Sequence, residues 1–221
     1  EKIGSGAFGE VFKVKKKKSN TTYAAKISYQ SLDDNSAQIL RDFSREVNIL
    51  SKVKHPSVID FIGFSSVNFH KEDKPVIITE LLSHGSLNDI LDAERKGLAD
   101  FDWNMTRKLI NIYGIASAMS FLHLHHIIHR DLKPANILMD DYLCPKIADF
   151  GFSKILHSHK ESMTIESSIN IKGTPIYLSP EIWLRQEYGP SCDVYAFGII
   201  VYEIMTNSEP YKNCDIFQIR T

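Results

Sequence analysis

The sequence predicts an α+β chain of two lobes, a small one built on antiparallel strands with a single helix and a larger, mostly helical one. Three observations predict it. Between residues 10 and 29, apolar and polar residues alternate with the period of a strand and are interrupted by a polar run. From residue 86 onward, apolar residues recur at helical intervals instead. Between the two regimes lies "SHGS" (83–86), a polar, glycine-containing break. The lobe boundary is expected there, with residues 1–82 in the first lobe and 83–221 in the second.

In chain order, "EVFKV" (10–14) and "TTYAAKISY" (21–29) flank "KKKKSN" and read as a hairpin with a polar turn. The Lys15–Lys18 run reads as a solvated strand end, with a phosphate-binding patch as the less common alternative. "DNSAQILRDFSREVNILSKV" (34–53) places Ile39, Leu40, Phe43, Val47 and Leu50 at helical spacing. His55-Pro56 ends that helix, because a proline disfavours helix in the residue before it. "FIGF" and "PVIITEL" read as two further strands. In the second lobe, "SLNDILDAE" and the long "NMTRKLINIYGIASAMSFLHLH" (104–125) read as helices, and "SCDVYAFGIIVYEIMT" (191–206) as a largely buried one.

Composition narrows the function classes. Hydrophobic residues make up 43% and charged residues 24% of the 221, the balance of a globular protein able to bury a core. Lys and Arg number 26 against 27 Asp and Glu, so no global charge favours a nucleic-acid partner. The three cysteines, Cys144, Cys192 and Cys214, lie far apart without zinc spacing, which fits a reducing, cytoplasmic setting. No apolar run is long enough to span a bilayer, and the opening residues do not read as a signal peptide. The opening "EKIGSGAFGE" has no Met and begins partway into a motif, so the chain is expected to be a piece of a longer protein.

Two stretches carry chemistry. "GSGAFGEV" (4–11) has G-x-G-x-x-G spacing, which lets backbone approach phosphates. A dinucleotide site needs this motif to follow a strand and open a helix, whereas strand-like "EVFKV" follows here, so the loop caps a hairpin. "IIHRDLKPANIL" (127–138) wedges His129, Arg130, Asp131, Lys133 and Asn136 between apolar pairs, more polar groups than a buried strand or helix tolerates. "HLHHIIH" (123–129) spaces His125 and His129 like helical zinc ligands, but a helix end and a strand interrupt the run and no carboxylate or Cys is suitably spaced.

"GSGAFGEV", "YAAK", "HRDLKPAN", "DFG" and "SPE" occur in that order, and together they resemble the protein kinase signature set over nearly the whole chain. The resemblance implies a two-lobed protein kinase fold, with an antiparallel-sheet N-lobe carrying helix C and a mostly helical C-lobe. It also implies ATP, Mg2+ (or Mn2+) and a protein substrate. On that reading Asp131 accepts the substrate hydroxyl proton, Lys133 meets the transferring phosphate, and Asn136 and Asp149 hold the metal. The crowding of charges around Asp131 is then expected to surround a metal–phosphate cluster rather than to pair internally. Lys26 binds the α- and β-phosphates and pairs with Glu46, which is preferred to Asp42. Ile3, Val11, Ala24 and Leu138 sandwich the adenine ring. The glycine-rich residues Gly4, Ser5, Gly6, Ala7, Phe8 and Gly9 cover the phosphates. Thr79 is the gatekeeper, and the backbone of Glu80 and Leu82 bonds the adenine edge. His129, Phe150, Leu50 and Phe61 match a stacked column, which makes His129 a packing residue. Asp193 resembles the residue that braces the catalytic loop.

Lys133 in "DLKPAN" and Thr174 in "GTPIYLSPE" resemble serine/threonine kinases, while "DVYAFGIIVYEIMT" and "FIGF" resemble the tyrosine-kinase-like group, most of whose members phosphorylate Ser and Thr. Ser/Thr specificity is therefore expected, with dual or tyrosine specificity as the alternative. Arg130 implies an activation loop ordered by phosphate. Asn170 stands where the phosphorylated residue is often found, so Thr164, Ser167 or Ser168 is expected to replace it. Ser162 lies in the same loop. Glu181 normally pairs with an arginine of a later helix, and the resemblance places such helices beyond Thr221. A scaffold without catalysis, the second reading, usually lacks the lysine or one of the two Asp residues, and all three are present here. The activating partner is not named by the sequence.

Overall fold

The structure, a computed structural model, describes residues 1–6, 9–31, 37–156, 175–212 and 214. The chain divides into two compact units, 1–54 with 59–83, and 55–58 with 84–221.

The first unit is a five-stranded antiparallel sheet in the order β1-β2-β3-β5-β4 with one helix. Its strands are β1 (Lys2–Ser5), β2 (Gly9–Lys15), β3 (Thr22–Ser28), β4 (Phe61–Ser65) and β5 (Val76–Glu80), and α1 spans Ala37–Lys52. The expected hairpin is β2–β3, and the glycine-rich turn joins β1 to β2. Registers decide which side chains share a face. Val11 lies opposite Lys26, Lys26 opposite Ile77, and Ala24 opposite Thr79. Because directly opposed residues point the same way and faces alternate by two, Val11, Ala24, Lys26 and Thr79 occupy one face.

The second unit is organised by α3 (Met105–Leu124) and α5 (Ser191–Thr206), with α2 (Leu87–Arg95) and the one-turn α4 (Pro180–Trp183). Ser86 caps α2 reciprocally: Asp89 N–H donates to the Ser86 hydroxyl at 3.3 Å, and Ser86 N–H donates to the Asp89 carboxylate at 2.8 Å. Asn104 caps α3 through Arg107 N–H at 3.1 Å. The core combines Leu87 and Leu91, Ile115 and Leu122, and Ile200 and Ile204. Gly114 permits a close approach in α3, since a Cβ there would stand 2.7 Å from the Pro145 ring and 3.0 Å from the Ser57 hydroxyl. This explains why residues 55–58 group with the second unit. His55 meets the Ser117 hydroxyl at 3.1 Å, and Ile147 N–H donates to Ser57 O at 2.9 Å.

Two short ribbons flank the polar stretch identified above. β6 (Ile127–Ile128) pairs with β9 (Lys154–Ile155), and β7 (Ile137–Met139) pairs with β8 (Pro145–Ile147), both antiparallel. The pairs Ile127-Ile128 and Ile137-Leu138 thus lie in strands on either side of the loop. β8, β9 and α4 have no periodic signature because each is at most four residues long.

Candidate functional site

Asp131 is the centre of the second unit's polar loop and only 7% exposed. A carboxylate so buried must be paired. Lys133 Nζ stands 2.9 and 3.2 Å from its two oxygens, and Asn136 Nδ2 donates to Asp131 Oδ2 at 2.8 Å and to its carbonyl at 2.7 Å. The expectation that these groups surround a ligand rather than pair internally is corrected in one respect: Lys133 and Asn136 bond Asp131 directly and so satisfy the buried carboxylate. With the Asn136 amide nitrogen committed to Asp131, Oδ1 is the atom it can offer a cation. Ala148 N–H donates to Asn136 O at 2.8 Å, tying the loop to the segment that carries Asp149.

Arg130 and Asp149 both hold left-handed backbone, with φ of 68° and 61°. Neither is glycine, so each conformation costs roughly 1–3 kcal/mol and persists only where surroundings impose it. For Arg130 the imposing group is Asp193, buried on α5. Its two carboxylate oxygens accept the N–H groups of His129 and Arg130, each at 2.8 Å, and Oδ2 also meets His123 Nε2 at 2.9 Å. This is the bracing role expected of Asp193. The Arg130 guanidinium reaches Phe152 O at 2.5 Å and the Tyr188 hydroxyl at 3.3 Å.

His129 is buried with both ring nitrogens committed. Asp131 N–H donates to Nδ1 at 3.4 Å, so Nε2 carries the proton given to Ala148 O at 3.0 Å. Its ring stacks edge-on against Phe150 with centroids 5.1 Å apart. That environment makes it a packing residue. His125 is exposed, its Nδ1 on Phe121 O at 2.8 Å. Leu138, on β7, bridges to Ser86.

In the first unit, Lys26 Nζ meets Glu46 Oε1 at 3.2 Å, while Asp42 pairs with Arg45 at 3.0 Å. Glu46 is thus the partner of Lys26, as preferred from the sequence. The glycines of the β1–β2 turn differ sharply. A Cβ on Gly9 would lie 2.1 Å from Ile27 O of β3, so packing demands glycine there. A Cβ on Gly6 meets nothing within 4 Å, and one on Gly4 only the Val11 side chain at 3.9 Å. The fold itself asks for glycine at one of these three positions and leaves space at two.

Ile3 on β1 is 45% exposed, and Ser5, opposite Glu10, ends that strand. At the end of β5, the Glu80 carboxylate accepts Asp60 N–H at 2.8 Å, and the Thr79 hydroxyl donates to Glu80 O at 3.2 Å. Leu82, two residues later, is half-buried, as are Phe61 and Thr79. Ala7, Phe8 and Thr174 lie outside the described residues, as do Ser162, Thr164, Ser167, Ser168 and Asn170.

Two groups escape sequence reasoning. His123 bonds to Asp193 across 70 positions, a pairing that no local pattern signals. Glu203 of α5 is buried, accepts the Tyr177 hydroxyl at 2.6 Å and pairs with Arg95 of α2 at 2.9 Å. Burial pushes its carboxyl above the ordinary value of 4.5, against the opposing pull of Tyr177 and Arg95. The same burial, with Glu203 beside it, pushes the Tyr177 hydroxyl strongly upward. An acid set well inside an apolar run, Glu203 among Ile199, Ile200, Val201 and Ile204, is the sequence signal that could have found this cluster.

Comparisons with known proteins bear on the whole chain. A "Probable serine/threonine-protein kinase" of Dictyostelium discoideum is 35% identical over 219 residues, covering 99% of this chain and 22% of that protein. A dual specificity protein kinase of the same organism is 32% identical, covering 96% of this chain and 39% of its own length. A calmodulin-binding receptor-like cytoplasmic kinase of Arabidopsis thaliana is 33% identical, covering 96% and 50%. The chain thus spans half or less of each of these relatives. Residues 1–220 match the protein kinase domain, and this chain belongs to that family.

Proposed function

We propose that the chain transfers the γ-phosphoryl group of ATP to Ser and Thr hydroxyls of protein substrates. The observation that carries this reading is the Asp131 carboxylate, buried yet fixed by Lys133 and Asn136 at 2.8–3.2 Å. In the transfer, the substrate oxygen bonds to the γ-phosphorus, the bond from phosphorus to the β–γ bridging oxygen breaks, and the electron pair leaves on ADP. Asp131 takes the hydroxyl proton. Lys133, already beside that carboxylate, faces the charge that develops on the phosphoryl oxygens. Lys26, oriented by Glu46, binds the α- and β-phosphates, with Val11, Ala24 and Thr79 on the same sheet face and Ile3, Leu138 and the backbone of Glu80 and Leu82 completing the adenine contacts.

Asn136 Oδ1 and the Asp149 carboxylate form a hard-oxygen donor set suited to Mg2+, with Mn2+ as a substitute. A metal held by these two residues would supply charge neutralisation at the phosphates. Control by phosphorylation at Thr164, Ser167 or Ser168 belongs to the proposal. The Arg130 side chain, which reaches the segment just after Asp149, supports it. Dual specificity is a second reading, favoured by the relative named for it. Among the described residues no helix is long and apolar enough to cross a membrane.

The test incubates full-length protein with Mg2+ and labelled ATP beside an Asp131→Asn control and identifies the modified amino acid. Label on Ser or Thr that vanishes in the control supports the proposal. Label on Tyr as well selects dual specificity. No label above the control, in folded protein, overturns the reading in favour of a scaffold.

A further inference from the structure

The far end of the β2–β3 hairpin carries a concentration of charge that phosphoryl transfer does not use. Lys13, Lys15, Lys16, Lys17 and Lys18 are all exposed. Ser19 N–H donates to Lys16 O at 3.2 Å and Lys16 N–H to Thr21 O at 3.1 Å, so Lys17 and Lys18 take the two corners of a closed turn. None of the five forms an ion pair with another described residue. Nearby acids are engaged elsewhere or outnumbered. Glu10 is tied to Lys2 at 2.6 Å, and the Glu80 carboxylate accepts Asp60 N–H. The exposed Glu1, whose carbonyl accepts Lys13 N–H, also lies beside the cluster. Five positive charges therefore gather on the end of β2 and its turn, in a chain whose net charge is −1.

Like charges held on one turn repel each other, so the arrangement is stabilised by an anionic partner. Its chemistry narrows that partner. Lysine ammoniums are rotatable point charges without the planar fork that fixes a single phosphate, and they suit phosphates that can move to meet them. The turn projects from the sheet and has no aromatic residue from Lys13 to Thr22, so it lacks the stacking platform of single-strand nucleic-acid binders. A projecting, lysine-rich tip fits a plane of laterally mobile anionic headgroups. We propose that the β2–β3 hairpin tip docks on anionic lipid bilayers, a surface independent of the phosphoryl-transfer residues.

The test measures partition of the full-length protein onto phosphatidylcholine vesicles with and without about 30% phosphatidylserine, at about 0.05 and 0.15 M salt. Anionic vesicles are expected to bind it and neutral ones not, with binding falling as salt rises. Replacing Lys15, Lys16, Lys17 and Lys18 by Gln is expected to weaken partition by about 100-fold or more. Replacing the same four by Arg is expected to keep it. Both variants should retain the wild-type melting temperature and phosphoryl transfer, because these side chains are exposed. Equal partition of the Gln variant and wild type overturns the proposal. So does wild-type binding that ignores phosphatidylserine, or capture by a single-stranded polynucleotide without capture by vesicles.

Discussion

The catalytic loop and the glycine-rich turn both serve phosphates in the proposed reaction, yet the fold treats them in opposite ways. Around Asp131 every polar group is held by another: Lys133 and Asn136 on the carboxylate, Asp193 on the backbone before it, Ala148 on both His129 and Asn136. Of the three described glycines at the glycine-rich turn, packing fixes one and leaves room for a Cβ at the other two. The contrast teaches where a ligand is needed to complete the structure. A buried acid must be positioned by the protein alone, since misplacement costs both stability and rate. A turn that closes over a nucleotide is better left with room that the nucleotide fills.

The largest expected effect breaks the rigid side of this contrast. Asp193→Ala leaves the N–H groups of His129 and Arg130 without their acceptor and the left-handed Arg130 unsupported. It should cost about 2–5 kcal/mol by denaturant unfolding and abolish transfer in whatever folds. Next, Gly9→Ala forces a methyl group into Ile27 O and should cost about 3 kcal/mol. Gly6→Ala should leave stability within about 1 kcal/mol of wild type and raise KM for ATP instead. Equal melting of these two variants would remove the distinction within the turn. Lys26→Met is expected to lower kcat/KM about 10²- to 10³-fold, as loss of one charge-stabilising donor does. The part-exposed pair with Glu46 contributes less than about 1 kcal/mol to the fold, so melting should barely move.

The smallest effect concerns pH. The Glu203 carboxyl is raised above 4.5 by burial, so the folded state holds its proton more tightly than the unfolded chain does. Its contribution to stability is full below 4.5 and declines as pH rises through the elevated value. Glu203→Gln should therefore flatten the melting profile from pH 4.5 upward, a change read by melting the two proteins at half-unit intervals. An unchanged slope would show that Arg95 and Tyr177 fully offset the burial.

Much of this was legible in the sequence, for physical reasons that differ by element. The β2–β3 hairpin, α1, α3 and α5 are long enough for periodicity to speak, and their observed bounds lie within a few residues of the expected ones. The pairing of Lys26 with Glu46 was legible because a lysine in an apolar strand needs an acid. The internal bonding of Asp131 was not anticipated: the charges were assigned outward to a ligand, and Lys133 and Asn136 also bond the buried carboxylate directly. His123 and the Tyr177–Glu203–Arg95 cluster were illegible because their partners come from elements 26 to 108 positions apart. β8, β9 and α4 were missed because so few residues make no period.

The most direct measurement compares Asp131→Asn with wild type for both thermal melting and the rate of phosphoryl transfer. Asparagine keeps the shape and a partner for Lys133 and Asn136 but removes the proton acceptor. The account predicts a melting temperature within a few degrees of wild type and a kcat about 10²- to 10⁴-fold lower. A folded Asp131→Asn protein that transfers phosphate at the wild-type rate would contradict it.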